Sequence, residues 1–314
     1  MKIFDAHIPP ITQKFFHDSF ASDISLEAAN KMVQSASGIN TFFETATDLE
    51  ELKEKLFLSD NVVEEPDRAE YGDFQTNISL AVAVTKYLSQ QINEPSVVIE
   101  PTCGKGNFIL AALKTFQSIK KVYGVEIYRP YVWQTKFSIL EFYLENKQFH
   151  KPKIFIKHCN VFDFDFKAVA SEISDENILL IGNPPWVTNS MLGSLNSTNL
   201  PAKSNFKKHS GLDAITGKGN FDIAEYITLM MFDTFQNQKG NLALLVKNSV
   251  IKNIVFDQKK NNYRIGNLQK HCIDSKKEFN VSVDASLFFC QLDISPSYEC
   301  SEFNFYTNSA PILS

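Results

Sequence analysis

From about residue 96 onward, short apolar runs alternate with amphipathic stretches, and nothing else in this 314-residue chain restricts its fold as tightly. "SVVIE" (Ser96 to Glu100) is a β-branched run that breaks at "PTCGKG". Ile109, Ala112, Leu113 and Phe116 then recur at i, i+3, i+4 and i+7, the spacing of one helix face. "KVYGVE" reads as a second strand, followed after Pro130 by a helix with the stripe Trp133, Phe137, Leu140 and Leu144. "KIFIKH" and "NILLIG" are a third and a fourth strand. "FDIAEYITLMMFDTF" puts Phe221, Ala224, Ile227, Met231 and Phe235 on one helix face before a fifth strand, "GNLALLV". Strands separated by helices imply βαβ units and a mostly parallel sheet. "VSVDASLFFCQLD" and "EFNFYT" leave little room for a helix between them, which predicts antiparallel pairing at that sheet edge. The expected fold class is α/β: a Rossmann-like, mostly parallel seven-stranded sheet with an antiparallel edge.

Ahead of this lies an acidic region with helical stretches such as "DLEELKEKLF", read as an N-terminal helical extension over residues 1–70, with one catalytic domain over 71–314. Hydrophobic residues at 44% and charged residues at 21% allow a large core. No apolar run is long enough for a signal peptide or a spanning helix, so the expected location is cytoplasmic with no membrane partner. Five cysteines with no C-x-x-C pair argue against a disulfide framework and a zinc ribbon, and no metal is expected. Net charge is −5, but residues 1–75 hold 15 acidic and 6 basic side chains, whereas Lys203 to Lys277 holds 13 basic and 6 acidic. Such a split fits a nucleic-acid face on one side, and equally an uneven solvated surface. Between Trp186 and Phe221 lie 34 residues, 17 of them Ser, Thr, Asn or Gly, with Lys203, Lys207, Lys208 and Lys218 among the rest. So long a loop reads as a basic lid beside a site, or as an insertion without a role.

The turn "EPTCGKGNF" carries Glu100, Pro101, Cys103, Gly104 and Gly106 from a strand into a helix. Glycines there let backbone N–H groups approach a ligand, aided by the helix N-terminus. A phosphate-binding Walker loop is excluded, because Ile99 stands where its first glycine belongs and Gly106 follows Lys105. The dinucleotide fingerprint fails at Ile109. A nucleoside without polyphosphate is left, for which Glu100 attracts a cationic group. Glu126, 20 residues after Gly106 at the end of the second strand, is placed to accept from ribose hydroxyls. S-adenosylmethionine combines a ribose with a cationic aminobutyrate and suits both acids.

Asn183-Pro184-Pro185-Trp186 ends the fourth strand, on the side where open α/β sheets bind ligands. The prolines fix φ and restrict the residue before each. The Asn183 side chain and the Pro184 carbonyl are thereby aimed as two acceptors, which suits an exocyclic NH₂ with two hydrogens to donate. Trp186 offers a stacking surface for the ring bearing that amine; a base modified chemically must leave its stack.

Together, "EPTCGKGNF" and, about 80 residues later, "NPPW" resemble the S-adenosylmethionine-dependent amino-group DNA methyltransferases, in the motif order of the γ class that makes N6-methyladenine. "YGDFQTN" (Tyr71 to Asn77) resembles the family's extra cofactor-contacting segment, with Phe74, Gln75 and Thr76 as matching positions. The resemblance implies that Glu126 holds the cofactor ribose. It aligns Asn160 of "KHCNVFDFD" with a cofactor-contacting position usually occupied by Asp. It also assigns Phe279 of "KEFNVSVDASLFF" to packing against a flipped base. The implied partner is double-stranded DNA with a flipped adenine, in a restriction–modification system. Family members carry a large target-recognition domain after their last strand, whereas about 22 residues follow Leu292 here. Target recognition is therefore expected from a separate or missing part. Asn-Pro-Pro-aromatic also occurs in enzymes that methylate protein glutamine or the guanine amino group of RNA. A cofactor-binding subunit active only with a partner is a further alternative.

Overall fold

The computed structural model describes residues 6–21, 23–57, 74–188 and 222–307. The chain divides into two compact units. One gathers Met1–Asp67, Gln75–Cys159 and Glu176–Gly182; the other gathers Arg68–Phe74, Asn160–Asp175 and Asn183–Ser314.

In the first unit, β1 (Val97–Glu100), β2 (Lys121–Glu126), β3 (Lys153–His158) and β4 (Ile178–Gly182) run parallel in the order β3-β2-β1-β4. Every residue of β1 and β4 is buried, as expected for parallel strands covered on both faces. Glu100 is paired with Gly124 in the ladder, so the acids Glu100 and Glu126 finish adjacent strands at the same end.

Among the described residues, six helices accompany these strands: α1 (Pro10–Ser19), α2 (Leu26–Ser37), α3 (Ala46–Phe57), α4 (Ile78–Ser89), α5 (Asn107–Thr115) and α6 (Arg129–Glu145). Ser25 and Asn77 cap α2 and α4 by accepting from Ala28 and Leu80 backbone N–H groups. No side chain of its own caps α1; Glu141 on α6 accepts from the Ile11 and Thr12 N–H groups instead. The sequence predicts a single apolar stripe on α6, yet Tyr131, Val132, Thr135, Ile139 and Phe142 are buried too. The reason is that α1 and α2 pack on α6, and Phe16, Phe42 and Phe43 surround Trp133 and Phe137 in one aromatic cluster. Lys136 is buried within it, donating to the Phe42 carbonyl at 2.8 Å, and burial lowers its pKa to about 8. Ile39, just after α2, forms a parallel bridge to Ile154 and so covers the β3 edge.

The second unit contains α7 (Phe166–Glu172), α8 (Ile223–Phe235), β5 (Gly240–Lys247), α9 (Asn248–Asn261), β6 (Ile265–Cys272), α10 (Ser275–Phe279), β7 (Ala285–Leu292) and β8 (Cys300–Asn304). Its strands lie in the order β5-β7-β6-β8. Antiparallel pairing occurs where expected along the chain, but β7 pairs with β5 and β6, and β8 lies parallel to β6. Eight strands are thus present among the described residues where the sequence predicts seven. The additional one is β6, "IGNLQKHC", whose Asn267, Gln269 and Lys270 hide the strand pattern. Its two flanking ladders, with β7 and β8, hold it in place. Among the described residues no helix is long and apolar enough to cross a membrane.

Candidate functional site

The glycine turn of the first unit is a dense polar knot. Gly104 and Gly106 have φ of +51° and +76°, which side-chain-bearing residues rarely adopt. A Cβ on Gly104 would collide with Gln75, and one on Gly106 with Thr135. Gln75 Oε1 accepts from the Lys105 N–H at 3.1 Å, and Asn107 donates to the Thr76 carbonyl at 2.7 Å. Both Gln75 and Thr76 therefore flank the turn. Thr135 on α6, which the sequence does not single out, donates to the Gly104 carbonyl at 2.9 Å. Pro101 and Cys103 are buried, and the Cys103 N–H donates to the Val125 carbonyl at 2.8 Å.

Two carboxylates face this turn differently. Glu126 accepts from the Gly104 N–H at 2.9 Å and from the Tyr128 N–H at 2.7 Å, which fixes its orientation. Glu100 is buried, and its Oε2 has no hydrogen-bond partner. Burial holds the Glu100 carboxyl well above the usual carboxylate range; the Ile109 N–H draws it down and the nearby charge of Glu126 pushes it up again. Burial and the same two acids also raise the Cys103 thiol. A Cβ on Gly182 would stand 3.2 Å from Glu100 Cγ, so the glycine leaves that side chain its room. The hydroxyls of Thr76 and Thr102 are likewise buried without partners. A buried acid with one oxygen left unpartnered, beside unpaired hydroxyls, suits a ligand that brings a cation and hydrogen-bonding groups of its own.

In the second unit, Asn183 and Trp186 are gathered with Phe74 and Phe279. The Asn183 amide nitrogen donates to the Phe74 carbonyl at 2.8 Å, while its Oδ1 is buried and takes no hydrogen bond. Pro184 is buried and Pro185 half-buried. Trp186 is not the open plate that the sequence implies: it is 6% exposed, and its Nε1 donates to the Leu245 carbonyl at 3.1 Å. Phe279 meets it edge-on at 4.9 Å between centroids, and Phe74 lies tilted at 5.7 Å. Both phenylalanines are half-buried, so the accessible rim of the cluster belongs to them. Phe279 reaches this place because Asp274 caps the short α10 and Asn280, at φ +55°, ends it. Asn160 closes a turn after β3 by accepting from the Phe162 N–H at 3.1 Å. Tyr71 and the lysines Lys203, Lys207, Lys208 and Lys218 fall outside the described residues.

No protein-family model matches the chain. The type II methyltransferase M.NspV from a Nostoc species is 41% identical over 244 residues, 76% of this chain and 48% of that protein. The chain thus spans about half the length of the curated relative it matches. Among solved structures, a class I S-adenosylmethionine-dependent methyltransferase from Listeria monocytogenes superposes with a TM-score of 0.53 at 13% identity, covering 93% of this chain and 77% of that one. The fold is the Rossmann-like methyltransferase fold. A type I restriction–modification methyltransferase subunit from Streptococcus thermophilus agrees, with a TM-score of 0.50 at 12% identity, covering 99% of this chain and 73% of that one. At those identities the two structures share the architecture only. The 41% match carries the likeness in sequence.

Proposed function

We propose that this chain moves a methyl group from S-adenosylmethionine to the exocyclic N6 of an adenine flipped out of double-stranded DNA, as the modification enzyme of a restriction–modification system. The observation that carries this reading is the Asn183 carboxamide. Its nitrogen is occupied by the Phe74 carbonyl, so its oxygen can only point as an acceptor, buried and unsatisfied. An unsatisfied buried acceptor is costly and is tolerated where a ligand completes it. An aromatic amine would complete it with one N–H, and the Pro184 carbonyl would take the other. With both hydrogens held, the amine lone pair is directed out of the ring plane. Phe74 and Phe279, backed by the enclosed Trp186, would supply the apolar surface for the ring, where base–aromatic stacking is worth about 1–3 kcal/mol.

The residues of the glycine turn fit S-adenosylmethionine, which when bound supplies an electrophilic methyl on a sulfonium sulfur. Glu100 would take its cationic amino group, Glu126 its ribose hydroxyls, and Gln75 and Thr76 would border it. Adenine as the target rests on the γ-like order of the motifs, and DNA on the likeness to a type II methyltransferase. The deciding experiment offers tritiated S-adenosylmethionine with unmethylated DNA, with RNA and with protein, followed by nucleoside analysis. Label recovered as N6-methyladenine from DNA is expected. Label only in RNA or only in protein would replace this reading with one of the rival amino-group methyltransferases.

A further inference from the structure

Trp186 is held at two points by one strand. Its Nε1 donates to the carbonyl of Leu245, and its own carbonyl accepts from Lys247 Nζ at 3.4 Å, two residues further along β5. The same ammonium forms an ion pair with Asp222 Oδ2. Asp222 in turn caps α8, with Oδ1 accepting from the Ala224 N–H at 3.0 Å. The backbone repeats the link: Thr188 forms an antiparallel bridge with Asp222, and the Ile223 N–H donates to the Val187 carbonyl at 2.8 Å. The chain therefore leaves the Asn-Pro-Pro-Trp turn and returns at Asp222 to the same spot, with Lys247 between the two ends. Both charged side chains are largely shielded, at 16% and 11% exposure.

We infer that Lys247 is a positioning residue, which sets the place of the Trp186 indole by tying the Trp186 backbone to Asp222 and the start of α8. The inference rests on the methyl-transfer reading of the site. An enclosed ion pair is a poor source of stability, because desolvation offsets most of the attraction. It does impose direction, since the lysine must satisfy a carboxylate and a carbonyl at once. The Leu245 contact fixes where the indole nitrogen sits; the Lys247 contact fixes the main chain behind it. A lysine at a strand end beside a nucleic-acid site could instead hold a phosphate, but its charge here is already met by Asp222. The two roles predict opposite consequences at Asp222. Removing that acid weakens a clasp, whereas it frees the lysine for a phosphate.

The test compares Lys247→Met, Lys247→Arg and Asp222→Asn in the full chain. It reads kcat and KM for DNA at saturating S-adenosylmethionine, and acrylamide quenching of Trp186 emission in a Trp133→Phe background. Both Lys247→Met and Asp222→Asn are expected to lower kcat by about 10- to 100-fold, the scale on which small misplacements act. KM for DNA should hold near wild type, Lys247→Arg should recover most of the loss, and quenching of Trp186 should rise in the first two variants only. Should Lys247→Met fail to fold, Asp222→Asn gives the same readouts. A raised KM in Lys247→Met, with Asp222→Asn binding DNA as well as or better than wild type, would overturn the clasp in favour of a phosphate contact. Unchanged kcat and unchanged quenching would overturn it outright. If the wild type transfers no methyl group to DNA, the proposed function fails, and the quenching measurement alone decides the clasp.

Discussion

Asn183 shows how one contact converts an ambiguous side chain into a directed one. A free carboxamide can turn either end toward a ligand; with the Phe74 carbonyl on its nitrogen, only the oxygen is left. Asn183→Ala should therefore keep cofactor affinity and lose about 10²–10³-fold in kcat, the usual result of deleting a preorganised hydrogen-bonding group. Single-turnover rates beside calorimetric titration with S-adenosylmethionine would check this, and a wild-type kcat would remove Asn183 from the chemistry. Glu126 is the opposite case, an acid already fixed by two backbone donors. Glu126→Ala should weaken cofactor binding by about 10-fold or more, since hydrogen bonds to a charged group contribute about 1.5–3 kcal/mol. An unaltered dissociation constant would end the ribose assignment.

Elements acquire roles that their own patterns do not announce. The helix α6 carries Thr135 to the glycine turn on one side and packs against α1 and α2 elsewhere on its surface. These N-terminal helices are thus part of what holds α6 in place, with Phe16, fully buried among Phe42, Phe43 and Phe137, as the central ring. Phe16→Ala should cost about 3–5 kcal/mol, as large-to-small changes of a buried aromatic do. Chemical denaturation followed by circular dichroism would measure it; a loss below about 1 kcal/mol would mean that the cluster can close over the cavity.

Across the whole molecule, charge is segregated along the sequence: net −9 over residues 1–75 and +7 over Lys203 to Lys277. If the basic segment meets a phosphate backbone, DNA affinity should fall with log[salt] at a slope of about −0.9 per phosphate contacted. Cofactor affinity should barely respond, because the two acids proposed to hold it, Glu100 and Glu126, are buried. Filter binding and cofactor titration over the same salt series would test this, and a flat DNA response would separate the basic segment from nucleic-acid binding.

The βαβ order, the strand-ending acids and the two motifs are legible in the chain alone, because they depend on local periodicity, on the fixed φ of proline and on the freedom of glycine to take positive φ. The chain alone does not reveal β6, whose polar residues are held by backbone ladders to two neighbours, nor the burial of α6 by helices far upstream. Glu126 and Asn183 were legible as residue types; which of their oxygens are occupied was not, since that depends on donors and acceptors distant in the chain. The sequence presents Trp186 as a stacking face, yet the ring lies enclosed by Phe74, Phe279 and the Leu245 carbonyl. Lys247 and Asp222 carry no sequence signal at all: they are 25 residues apart, and only the tertiary structure brings them together behind the tryptophan.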